Sequence, residues 1–148
     1  MKSNWTTLLI SLLVFLGLGA AVSGALLMLS PSGQLLGIPQ WILETSPFSN
    51  FLFPGMLLFT FIGIAPFLVI IALLKKPNSK IAERFNAFKD MHWSWSFVIY
   101  QAIVLIIWIQ IQMLLINGVH FLHTFYVFLA LSIFFIALLP QVKRQYQV

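Results

Sequence analysis

Four stretches of this chain, Leu8–Leu29, Phe51–Leu74, Trp93–Ile116 and Val119–Leu139, contain no Lys, Arg, Asp or Glu. Each is long enough to cross a hydrocarbon layer of roughly 30 Å at about 1.5 Å per residue. Hydrocarbon offers no partner to a backbone N–H or C=O, so each stretch must satisfy its own groups and fold as a helix. The rest of the chain cannot compensate for this greasiness. Of 148 residues, 7% are charged and 61% hydrophobic, whereas a soluble domain carries about 25% charged residues. The expectation is an all-α polytopic membrane protein, a four-transmembrane-helix bundle forming one membrane domain over residues 1–148. An outer loop at 30–50, a cytoplasmic loop at 75–92 and a tight turn at Asn117-Gly118 connect the helices.

The net charge of +5 is a topology signal rather than a nucleic-acid signal. The basic residues are Lys2, Lys75, Lys76, Lys80, Arg84, Lys89, Lys143 and Arg144. With four spans, all of them fall on one side, and the connections at 30–50 and 117–118 hold none. By the positive-inside rule both termini and the 75–92 loop face the cytoplasm, which places the chain in an inner membrane, N-in and C-in. Trp5, Trp93, Trp95 and Tyr146 lie near the expected inner boundary and Trp41 in the outer loop, as interfacial aromatics do. The first span resembles a signal peptide up to its small residues, but LLML continues beyond them, so an uncleaved span is expected. The sequon Asn4-Trp5-Thr6 falls on the cytoplasmic side and is set aside.

Small residues shape the first span. Gly17, Ala21 and Ala25 recur every fourth position, as do Ala20 and Gly24. Such ridges let helices approach closely in lipid, where packing replaces the hydrophobic drive. They serve intramolecular packing or a homo-oligomer face. In the second span Pro54-Gly55 sits in the first turn, where a missing N–H costs little. Pro66 sits at mid-span, where it removes the bond to the Ile62 carbonyl and predicts a kink there. In the third span Gln101, Leu105, Trp108 and Gln112 share one face. That face must meet protein or a cavity, as interhelical glue or as a wall contacting a polar headgroup or a quinone carbonyl. Gln110 points the opposite way.

The outer loop contains LLGIPQWIL, too short to span and too apolar for open water. It is expected to lie on the bilayer or fold over the bundle mouth. In the cytoplasmic loop Ile81, Phe85 and Phe88 recur at helical spacing among charges, which predicts a short amphipathic helix against anionic headgroups or a docking surface for a partner.

Little in the sequence carries chemistry. Without cysteine there are no disulfides, thiol catalysis or thiolate metal sites. No glycine-rich phosphate loop occurs, and no charge lies deep in a span, as ion-coupled transporters usually require. His120 and His123, with Glu44 on the same side, are the metal candidates; the competing reading has both histidines capping the hairpin or meeting lipid headgroups. His92 lies a membrane thickness away, which argues against a bis-histidine haem with either. No cofactor is expected.

The segments LSPSGQLLGIP, TSPF, the FPG opening the second span and WIQIQ in the third resemble a group of small bacterial four-span membrane proteins. The resemblance implies a bacterial four-helix integral membrane protein and carries over no activity and no functional residue. The function expected is a non-enzymatic accessory, scaffold or lipid-like-ligand-binding bundle. The alternatives are a small oligomeric transporter or channel, and a metal-dependent membrane enzyme using Glu44, His120 and His123. The partners expected are the lipid bilayer and a second copy or another membrane protein, with no nucleic acid.

Overall fold

The structure is a computed structural model that describes residues 3–148; Lys2, counted in the charge asymmetry, lies outside the described residues. The described chain is helical, and four helices are long and apolar enough to cross a membrane: α1 (Asn4–Leu29), α2 (Leu52–Lys75), α4 (Trp93–Leu115) and α5 (Phe121–Leu138). Two shorter helices, α3 (Lys80–Arg84) and α6 (Pro140–Lys143), lie between α2 and α4 and after α5. Ser3 caps α1 by accepting the Thr6 N–H at 3.2 Å. Lys76, in the left-handed region at φ 46°, ends α2. Along α1 the buried positions Leu9, Leu13, Leu16, Ala20 and Leu27 form a single stripe facing the bundle.

The glycine ridges are used between α1 and α2. A Cβ at Gly63 would lie 2.9 Å from backbone atoms of Ala21. One at Gly24 would lie 2.7 Å from the Phe59 nitrogen and 2.8 Å from the Gly55 oxygen. Gly17 meets the Phe67 ring and Gly63 in the same way. The two backbones are in contact, and the ridge is buried inside the bundle.

In α2 the segment Leu58–Ile64 is wound as a π-helix. Its last turn bonds the Ala65 N–H to the Thr60 carbonyl, five residues back. In that register the N–H that Pro66 lacks would have served Phe61, not Ile62. The side chain of Gln101 fills the gap, with Nε2 donating to the Phe61 carbonyl at 3.1 Å. The orphan group is therefore one residue from the position expected for an α-helix, and a neighbouring helix satisfies it.

Ser3, the 75–92 connection and the C-terminal segment meet at one end of the bundle, called here the basic end. Asn86, 2% exposed, is its hub. Its Nδ2 donates to the Met91 carbonyl at 2.8 Å and to the Glu83 carboxylate at 3.2 and 3.3 Å. Its Oδ1 accepts the Phe88 N–H at 3.0 Å and the Ser96 hydroxyl. This side-chain turn competes with helix, so α3 stops at Arg84 instead of running through Phe88. Ile81 and Phe85 stay exposed. Helix-end carbonyls are taken up by side chains from other elements. The Tyr146 hydroxyl donates to Leu73 at 3.3 Å, and Trp95 Nε1 donates to Ala137 at 2.8 Å. The C-terminus is tied in by His92 N–H to the Tyr146 carbonyl at 2.7 Å and by Gln145 to Ser3 at 3.0 Å.

Candidate functional site

At the opposite end the four long helices part around a cavity of about 570 Å³. Gly19, Ala20, Ser23 and Leu27 of α1 form one wall, and Pro54, Leu58 and Ile62 of α2 another. Leu105, Trp108, Ile109 and Gln112 of α4 and Leu122, His123 and Tyr126 of α5 complete it. The volume is that of a site for a small organic molecule.

The 30–50 connection covers the mouth. Two short 3₁₀ turns, Gln34–Leu36 and Gln40–Leu43, are separated by Gly37. Gly33 at φ 81° reverses the chain before them, where a Cβ would lie 2.5 Å from the Ile38 carbonyl. Leu43 and Phe51 pack with Leu27 in a small second core joined by Leu36, Ile38 and Phe48. The Thr45 hydroxyl donates to the Leu115 carbonyl at 2.8 Å, which fastens the cover to the end of α4. Of the two placements expected for this greasy connection, it takes the one over the mouth, while Trp41 points outward at 67% exposure.

The lining is apolar with a few polar atoms, and none of its residues is Lys, Arg, Asp or Glu. Trp108 Nε1 is shielded from solvent and has no hydrogen-bond partner. His123 is 8% exposed, and its Nδ1 accepts the His120 N–H at 2.9 Å. His120 Nδ1 accepts the Leu122 N–H at 3.2 Å. Together they cap α5, the capping role the sequence offered. These bonds assign the neutral proton of both rings to Nε2, leaving each ring a donor there rather than a lone pair.

The structure separates the other residues read from the sequence. Gln101 is 4% exposed and committed to Phe61, below the cavity. Trp108 and Gln112 reach the cavity wall, and Ile62 lies in it, whereas Pro66 does not. Gly17, Ala21 and Gly24 are packing residues; Ala20 both packs and lines the cavity. Gln110 is exposed on the far side of α4. Glu44 is exposed, and no group of three or more His, Asp or Glu positioned to hold a metal occurs among the described residues. The metal set is not assembled, because the Nδ1 atoms of both histidines are committed to the α5 cap. The orphan status of the Trp108 N–H had no sequence signal, since it depends on what the neighbouring helices fail to offer.

No family model matches this chain, and no curated protein or solved structure does either.

Proposed function

We propose that this chain is a multi-pass protein of the cytoplasmic membrane, of bacterial type, that holds one lipid-like molecule in the cavity between α1, α2, α4 and α5. The observation that carries the reading is the cavity itself. It is roomy, apolar and uncharged, yet its wall includes His123, Gln112 and Tyr126, whose Nε2–H, side-chain amide and hydroxyl take no partner within the chain. Buried donors without partners cost about 1–3 kcal/mol each, so their retention is accounted for by a bound acceptor. In this orientation the basic end faces the cytoplasm, as the charge asymmetry requires, and the cavity opens toward the outer leaflet. The bilayer is the first partner, and the role is that of a non-enzymatic carrier or accessory subunit.

The test is a Ser23→Trp variant, which fills the cavity from α1. Protein purified in mild detergent is extracted with organic solvent, and the extract is compared with that of the unmodified chain. The reading expects a molecule retained at one copy per chain that disappears in the variant while its melting temperature holds. Equal extracts contradict it. For orientation, a cysteine at Thr45 is expected to react with an impermeant thiol reagent from outside the cell and one at Ser79 is not; the reverse pattern overturns the topology.

A transporter reading draws on the π-wound segment of α2, a common seat of local rearrangement. It needs a water path from Gln112 past Leu105 to Gln101, residues that are 1% and 4% exposed at Leu105 and Gln101. Reactivity of a cysteine at Leu105 toward a water-soluble thiol reagent would favour it; an inert cysteine would count against it.

A further inference from the structure

From the polar atoms lining the cavity we infer the chemical class of its occupant: a neutral molecule with an apolar tail and carbonyl acceptors, held by His123 Nε2–H. This deepens the ligand-binding reading and rests on it.

The polar inventory is lopsided. His123 is more than nine-tenths buried, its Nδ1 is occupied by the His120 N–H, and its Nε2 has no protein partner. Deprotonating Nε2 would leave an anionic ring, and protonating Nδ1 would break the cap, so the ring is held as a fixed donor at Nε2. His120 at the rim has the same tautomer for the same reason. Gln112 and the Tyr126 hydroxyl are unbonded and add adaptable groups to the same lining. This fixed donor and its neighbours have no fixed acceptor facing them. A ligand that matches them brings acceptors.

Charge narrows the class further. An anionic headgroup would enter a cavity lined by no Lys or Arg, and a cationic one a cavity lined by no Asp or Glu. Either would be desolvated without a counter-charge, which is more costly than burying a neutral carbonyl that receives hydrogen bonds. The apolar remainder of the lining, from Leu27 and Leu58 to Leu105 and Ile109, suits a hydrocarbon or prenyl tail. The shared chemistry is found in a ring dione of the isoprenoid-quinone type and in the ester carbonyls of a neutral glyceride.

The experiment titrates the full chain in mild detergent by calorimetry with three probes: a decyl-benzoquinone, dioleoylglycerol and dioleoylphosphatidylglycerol. The inference expects one-to-one binding of a neutral probe, with the anionic lipid at least tenfold weaker; which neutral probe wins identifies the source of the carbonyls. Tyr126→Phe keeps the ring and removes a hydroxyl of the cavity wall. His123→Asn keeps an acceptor for the His120 N–H and removes Nε2–H. Each is expected to weaken binding about five- to tenfold, the loss of one hydrogen bond. Melting curves of both variants check that the bundle persists, and if His123→Asn fails to fold, Tyr126→Phe alone decides. Should the anionic lipid bind as tightly, or neither variant change affinity, the carbonyl class is wrong while a lipid-like ligand survives. Should none of the probes bind and no molecule copurify, the ligand-binding reading itself falls.

Discussion

Trp95 and Trp108 sit on one helix, and their indole nitrogens have opposite fates. Trp95, 2% exposed, donates to the Ala137 carbonyl at 2.8 Å, a group freed by the end of α5 at Leu138. Trp108 is walled off with nothing to donate to. The contrast extends to the ends of the bundle they occupy. Around Trp95, the Asn86 amide, the Ser96 hydroxyl, the Tyr146 hydroxyl and the Trp93 indole all have partners within the chain; the Nε2 of His92 is the exception. Around Trp108, the helices part and the polar atoms outnumber their partners. Apart from His92 Nε2, the side chains of the basic end have completed their buried hydrogen bonds, while at the other end Trp108 Nε1, His123 Nε2, Gln112 and the Tyr126 hydroxyl take no partner. In a low-dielectric interior both choices carry large free energies; on the proposed reading one end holds the helices together and the other receives a ligand.

The largest expected effect breaks the closed end. Asn86→Leu leaves the Met91 carbonyl, the Glu83 carboxylate, the Phe88 N–H and the Ser96 hydroxyl without their partner. Thermal unfolding in detergent should show a loss of about 3 kcal/mol or more. A melting point unchanged from the parent would mean that the hub is not a hub. Next is the frame shared by both ends. Gly63→Ala drives a methyl against the Ala21 backbone at 2.9 Å, and the helices must separate at a cost of about 1–3 kcal/mol. A neutral result would show that α1 and α2 are not in backbone contact.

The indole pair gives a matched and smaller comparison. Trp95→Phe strands the Ala137 carbonyl and is expected to cost about 1–2 kcal/mol. Trp108→Phe removes a donor that has no partner and is expected to stay within about 0.5 kcal/mol in ligand-free protein. Equal losses for the two would erase the distinction. The subtlest effect is one of pH. Burial pushes the Tyr146 phenol up from 10.0 to about 12, so the fold favours its neutral form. Its contribution to stability is complete below pH 10 and is lost as the pH climbs from there through about 12. Alkaline absorbance titration should show a late tyrosinate component that Tyr146→Phe removes; a variant that titrates like the parent would contradict the buried placement.

The sequence made some of this legible and hid the rest for identifiable reasons. Charge-free runs set the four long helices to within a few residues, because length and solvation alone demand them. The spacing of Gly17, Ala21 and Gly24 announced close packing, but not that α2 would answer with Gly55 and Gly63; pairing is a property of two helices. Pro66 announced a freed carbonyl, and the π register moved it from Ile62 to Phe61, a shift that no local preference encodes. Gln101, Trp108 and Gln112 were correctly placed on one face, yet depth divides them: Gln101 meets α2, and the other two meet the cavity. The apolar repeat of Ile81, Phe85 and Phe88 masks Asn86. A lone Asn inside such a repeat, two residues before a backbone N–H it can accept, is the signal that a helix will stop there. The histidines were read as capping or metal-binding, and the short spacing that suggested a metal is the spacing of a capping pair.

Native mass spectrometry of the chain released from its own membrane in mild detergent tests the division most directly. It weighs what the open end holds. The expected spectrum shows one neutral, lipid-sized adduct per chain, retained in Trp95→Phe wherever that variant folds and lost in the cavity-filling Ser23→Trp. A bare chain, or phospholipid adducts distributed identically in parent and Ser23→Trp, would contradict it.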